Sequence, residues 1–251
     1  MDAMPSDPGP AGHNSGHAAM PTEAIDFSQQ PLVFTHIPKT AGTTLNGVLE
    51  AAFPENCLFH LQRLERETLS ERLADPNLHV CGGHLKYLQL SAAFADTTRR
   101  PLYITILRDP VERILSAYCY ARESVEDRRW HDLASRHDIN AFIAVMAENH
   151  RQFLISKQCR FVGTVARADA DQAMDSLKRN YAVVGLQDDL ESFLRRLETR
   201  LQFSLPRCEP RNRSANRVTR DALDKKSLRI LDRTTREDRR LYELVLAWLA
   251  K

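Results

Sequence analysis

Two kinds of stretch alternate along this chain: short apolar runs that stop at turn residues, and longer stretches whose apolar positions recur every three or four residues. Residues 32–37 are a run of the first kind, closed by Pro38, and Leu45, Val48, Leu49 and Ala52 follow at the spacing of one helix face. The pattern repeats over residues 103–107, with Val111, Ile114, Leu115 and Tyr118 as the apolar stripe of the next helix, and Glu112, Arg113, Ser116 and Tyr120 off it. Between these units lies a short β-type run at residues 78–81, ended by Gly82 and Gly83. Further on, the spacing predicts helices over about 139–149 and 168–180 and a buried strand at 181–185. A helix carrying Leu190, Phe193, Leu194, Leu197 and Leu201 follows, capped by Asp188 or Asp189. A last helix, bearing Leu241, Leu244, Val245, Trp248 and Leu249, opens on a capping box, Thr234-x-x-Glu237. Strands alternating with helices imply an α/β fold: a mostly parallel sheet between helical layers, with ligands at the carboxyl ends of its strands.

Both strand-to-helix turns carry anion chemistry. The first reads Phe34-Thr-His-Ile-Pro-Lys39-Thr-Ala-Gly42-Thr-Thr44. At such a turn the free amides of a helix N-terminus and the positive end of its dipole converge on one point, and Lys39 adds a full charge. Lys39, Thr40, Ala41, Gly42, Thr43 and Thr44 are therefore read as a phosphate or sulfate cradle. It differs from the nucleotide-triphosphate loop GxxxxGK[ST], because its lysine comes early and Pro38 stands where a glycine would be. In the second turn, Arg108-Asp-Pro-Val-Glu112, Asp109 is the expected N-cap, Pro110 suits the first helical position and Glu112 completes a capping box. Arg108 at the strand end and Ser116 two helical turns on are placed to meet one ligand, and an arginine fork suits a terminal phosphate. Between the two cradles, Gly82-Gly83-His84-Leu-Lys-Tyr87 sets a histidine after two glycines that permit close approach.

These motifs, in this order, resemble sulfotransferases that use 3′-phosphoadenosine-5′-phosphosulfate (PAPS), and within them the carbohydrate sulfotransferases related to heparan sulfate 2-O-sulfotransferase and their bacterial relatives. The resemblance implies a single P-loop-like domain. It implies that Lys39 to Thr44 hold the 5′-phosphosulfate, that Arg108 and Ser116 hold the 3′-phosphate, and that His84, in a Gly-His-x-x-aromatic segment, is the general base. It further implies that a basic loop before the final helices closes over the cofactor, with Arg213 and Ser214 as its contacts, and that Lys39 also stabilises the leaving phosphate. No metal is required on this reading, since lysine, arginine and helix N-termini supply the positive charge. Transfer to a carbohydrate hydroxyl is the implied reaction. Two other classes fit parts of the pattern. In a P-loop kinase-like phosphotransferase, residues 104–107 and Asp109 would be a magnesium-binding strand end, a poor match because Arg108 intervenes. In a catalytically silent nucleotide- or glycan-binding protein, PAP (3′,5′-phosphoadenosine) would bind without transfer.

Composition narrows the partners. A net charge of +2 over 251 residues is too small for a nucleic-acid-binding protein, and no stretch approaches the ~20 apolar residues that span a bilayer. Basic charge is concentrated between Arg207 and Arg240, where twelve Lys/Arg face six Asp/Glu. Residues 1–30 are rich in Pro, Gly, Ala and His without an apolar run. They read as a disordered tail and not a signal peptide, leaving residues 31–251 as the domain. Cys57, Cys81, Cys119, Cys159 and Cys208 are widely spaced and without a CxxC pair, as expected of free thiols in a cytoplasmic protein. The acceptor and the oligomeric state have no signature in the chain.

Overall fold

The computed structural model describes residues 25–125, 127–207 and 217–251. Five strands, β1 (Leu32–Thr35), β2 (Cys57–Leu58), β3 (Val80–Gly83), β4 (Leu102–Leu107) and β5 (Tyr181–Leu186), form one sheet in the order β2-β3-β1-β4-β5. Every pairing is parallel. The helices are α1 (Gly42–Ala52), α2 (Arg66–Ala74), α3 (Tyr87–Ala95), α4 (Pro110–Glu123), α5 (Arg128–Arg136) and α6 (Ile139–Asn149), then α7 (Arg151–Leu154), α8 (Lys157–Val162), α9 (Ala170–Asn180), α10 (Leu190–Leu201), α11 (Lys225–Thr234) and α12 (Arg236–Leu249). The α/β architecture expected from the alternating pattern is the one found.

Side-chain alternation divides each strand between two cores. Leu32, Phe34, Ile104, Ile106 and Val183 face α1 and α10, meeting Leu45, Val48, Leu49, Phe193 and Leu197. Val33, Tyr103, Leu107 and Tyr181 face the opposite layer, where α2, α3, α9 and α12 supply Leu73, Leu90, Leu177 and Leu241. A third cluster, built from α4, α5, α6 and α11, sits beyond the sheet. Because the chain places β3 on one side of β1 and β4 on the other, the strand order reverses at β1, and the crevice beyond its carboxyl end is the ligand position of this class of sheet.

Several local expectations are corrected. Glu112 does not close a capping box: Asp109 alone caps α4, accepting from the amides of Val111 and Glu112, while the Glu112 carboxylate pairs with Arg217 and Arg220. Thr234 and Glu237 do not open the last helix together. Thr234 ends α11, with its hydroxyl donating to the Ile230 carbonyl, and Glu237 instead accepts from the Ala170 amide at the start of α9. Both departures have one cause: a nearby cation or open amide from another element outcompetes the local bond. Arg113, off the apolar stripe of α4, is nevertheless fully buried. Gly82 and Gly83 lie within β3 itself, where neighbouring chain comes close: a Cβ on Gly83 would sit 2.5 Å from Gln62 Oε1 and 2.8 Å from the Leu61 amide. Ahead of β1 the chain makes a turn over residues 26–30. Arg99 fastens that turn, its buried guanidinium donating to the carbonyls of Phe27 and Ser28 and to those of Leu73, Asp75 and Leu78. Residues 1–24 lie outside the described residues.

Candidate functional site

The loop from β1 to α1 is shaped by backbone that non-glycine residues rarely adopt. Lys39 and Ala41 both have positive φ, 71° and 70°, a conformation that costs each on the order of 1 kcal/mol and persists where surroundings enforce it. Thr40 is part of that enforcement: it is fully buried and its hydroxyl donates to the Ile37 carbonyl at 2.9 Å, so its side chain shapes the loop. His36 is another part. Its ring stacks on Phe34 at 5.0 Å and lies against the first residue of α1, where a Cβ on Gly42 would be 1.7 Å from Nε2. Only glycine fits there.

Helix α1 then begins without a side-chain cap and without an acid in its first turn. Elsewhere Asp109, Asp127, Asp138, Asp169, Asp189 and Asp224 each cap a helix through a carboxylate. A carboxylate at Ala41 would occupy the place of an incoming anion; its absence leaves the dipole and first-turn amides available. Lys39, half-buried beside them, rests its ammonium over the Tyr120 ring, 3.6 Å from the centroid. Burial, helped by the Arg108 charge, pushes its pKa down to about 8. Thr43 is exposed and Thr44 buried.

At the end of β3, His84 is tied down twice: its amide donates to Gln62 Oε1 at 2.9 Å, and ring Nδ1 lies 2.9 Å from the His36 carbonyl oxygen. A carbonyl only accepts, so the proton belongs on Nδ1 and Nε2 keeps its lone pair. Burial holds the imidazole below its ordinary value near 6.5, as do the charges of Lys157, His60 and Lys39, against the opposing backbone hydrogen bond. The His36 ring, 4.3 Å away, is held neutral more strongly still by its own burial. His84 is therefore an unprotonated, oriented imidazole at neutral pH.

At the end of β4, Arg108 reaches across to the first loop, Nη1 donating to the Lys39 carbonyl at 3.2 Å. Its Nε is buried and has no hydrogen-bond partner among the described residues, as is also true of Arg113 and Arg196, but Arg108 alone of the three stands at a strand's carboxyl end. Ser116 is half-buried two turns into α4. The structure thus brings Lys39, His84 and Arg108 to the carboxyl ends of the adjacent strands β1, β3 and β4. Asp109, the carboxylate considered for magnesium, is committed to capping α4 and to Arg220. Arg213 and Ser214 lie outside the described residues; Arg217 just after them pairs with Glu112 at 2.8 Å on the first turn of α4.

Four participants carry no sequence signal of their own. Tyr120 receives Lys39 and Gln62 orients His84. Gln158 brackets the Arg108 peptide, accepting from its amide at 2.9 Å and donating to its carbonyl at 2.8 Å. Asp238, fully buried, accepts from the amides of Gln158 and Cys159.

The profile of the sulfotransferase family matches residues 23–244. Heparan sulfate 2-O-sulfotransferase 1 of Homo sapiens is 25% identical over 199 residues, covering 68% of this chain and 54% of that protein. The Mus musculus protein of the same name is 30% identical over 132 residues, 47% of this chain and 36% of its own length. The chain spans about half the length of the human relative. A crystal structure of mouse sulfotransferase SULT7A1 complexed with PAP aligns with a TM-score of 0.46 at 16% identity, over 82% of this chain and 63% of that one. Among the described residues no helix is long and apolar enough to cross a membrane. With the family profile running from before β1 into the last helix, and with both anion loops inside it, this chain belongs to the sulfotransferase family.

Proposed function

We propose that this protein transfers a sulfuryl group from PAPS to a hydroxyl of a carbohydrate acceptor, with His84 as general base. One observation carries the proposal: a lysine, a histidine and an arginine at the ends of three neighbouring parallel strands are held by each other's loops, each with an atom left over for a ligand. Arg108 is bonded to the Lys39 carbonyl and keeps an orphaned Nε; His84 is bonded to the His36 carbonyl and keeps Nε2; Lys39 has no carboxylate within ion-pair distance among the described residues.

The residues fit the co-substrate. The α1 amides and Lys39 suit a phosphosulfate, and the Arg108 fork with Ser116 suits a 3′-phosphate, the orphaned Nε being the atom that requires one. Arg213 and Ser214 are proposed to complete this cover. PAPS supplies an activated sulfur whose bond to the bridging phosphate oxygen breaks as the acceptor oxygen bonds to it. His84 Nε2 takes the proton of the attacking hydroxyl, and Nδ1, anchored on a carbonyl, keeps the ring from turning. Lys39 neutralises the charge gathering on the departing phosphate oxygen. The relatives are, by name, heparan sulfate 2-O-sulfotransferases, and this supports a carbohydrate as the acceptor class and heparan sulfate as the first one to try.

Calorimetric titration with PAP in the absence of metal, run beside ATP–magnesium, tests the reading. PAP is expected to bind, and Arg108→Ala to weaken it by about a hundredfold, the loss of two charge-assisted hydrogen bonds at about 1.5 kcal/mol each. Binding of ATP–magnesium alone would overturn it in favour of phosphoryl transfer. PAP binding without transfer of labelled sulfate to heparan sulfate or other glycans would mark a silent binding protein.

A further inference from the structure

The phosphate-facing arginine is held from the far end of the chain. Arg108 is the first residue past β4, whose ladder with β5 ends at Leu107 and Leu186. There the Gln158 side-chain amide takes over, accepting from the Arg108 amide and donating to its carbonyl, so the two peptide groups that flank the Arg108 Cα are both held by one side chain. Gln158 is itself fully buried, and its own amide is received by both oxygens of Asp238, at 3.0 and 3.1 Å, while Asp238 also takes the Cys159 amide at 3.0 Å. Asp238 belongs to α12 and has no exposure. A run of hydrogen bonds therefore passes from the C-terminal helix through the start of α8 to the Arg108 backbone, and from the Arg108 side chain to the Lys39 carbonyl of the other anion loop.

We infer that Gln158 and Asp238 are positioning residues for the nucleotide: they set the Arg108 peptide so that its guanidinium reads the 3′-phosphate. The inference rests on the cofactor reading above. A side-chain amide is suited to this task because it offers both a donor and an acceptor, one for each of the Arg108 backbone groups, and a carboxylate suits the next position because two amides converge on it. A rotation of the Arg108 peptide would move the guanidinium away from the Lys39 carbonyl and from its ligand together. The effect is specific to the group that Arg108 holds, and this separates positioning from a general loss of stability.

The test compares two nucleotides that differ in that group: PAP and adenosine 5′-monophosphate. The wild type is expected to prefer PAP. Gln158→Leu, of similar bulk but unable to bracket the peptide, is expected to weaken PAP about tenfold and to leave adenosine 5′-monophosphate within twofold. Asp238→Asn, which keeps an acceptor for the amides, is expected to bind PAP within about threefold of wild type, and thermal melting checks that both variants are folded. Equal weakening of both nucleotides in Gln158→Leu, or no weakening of PAP, overturns the positioning role and leaves the cofactor reading standing. A wild type that does not distinguish the two nucleotides overturns the cofactor reading, and the positioning role with it.

Discussion

Replacing His84 by alanine is expected to lower kcat for sulfate transfer by about 10²- to 10⁴-fold, the usual worth of a placed general base, while the PAP dissociation constant stays within about threefold. The asymmetry follows from the geometry: His84 ends β3 and is oriented by Gln62 and the His36 carbonyl, whereas the anion loops belong to β1 and β4. The base must be unprotonated, and burial keeps its pKa below 6.5, so kcat/KM should hold through neutral pH and fall only on the acid side of that value. Paired measurements of turnover on heparan sulfate and PAP titration decide it. Near wild-type turnover in His84→Ala would remove the base from this position.

Lys39→Ala is expected to act on both steps, lowering kcat by about 10²- to 10³-fold through lost stabilisation of the leaving phosphate and weakening PAP about tenfold. This lysine also predicts the alkaline limb. Its pKa in the free protein is about 8, and only the ammonium form serves an anion, so kcat/KM should decline as pH rises through that value. Lys39→Arg, whose charge does not titrate in this range, should retain less activity but lose the limb. An alkaline limb near pH 8 persisting in Lys39→Arg would assign it to another group, with Lys157 the first to examine, since burial pushes that ammonium to about 8 as well.

The sheet and the principal helices were legible because they are periodic. The strand at 32–37, the stripe Val111-Ile114-Leu115-Tyr118 and the helix of Leu190 to Leu201 each announce a buried face through spacing alone. Asp109 and Pro110 were legible as a helix start for a local reason, the cap lying within three residues of the amides it serves. The same logic misled at Glu112 and Glu237, whose partners lie in other elements: Arg217, Arg220 and the Ala170 amide. Lys39, His84 and Arg108 could be singled out because His84 and Arg108 directly follow strands and Lys39 lies in the turn after one, and strand ends in a parallel sheet converge. Gln158 and Asp238 could not, because their bonds join positions 50 and 80 residues apart and leave no spacing to read. The positive φ of Lys39 and Ala41 was equally silent, since neither residue type advertises it.

The all-parallel sheet also sets a timetable for the chain as it emerges from the ribosome. Leu32 pairs with Val80 on one side and with Leu102 on the other, so both flanks of β1 are open until β3 has been made and one of them until β4 has. Tyr103 in turn waits for Tyr181. No local hairpin can shelter the first strand in the meantime, and closing such long loops makes parallel pairing slow. The nascent protein therefore carries an apolar strand, and behind it the loop of Lys39, without its full set of partners until residue 107 of 251 has been made. That strand is the segment on which chaperone contact, or aggregation at high expression, should centre.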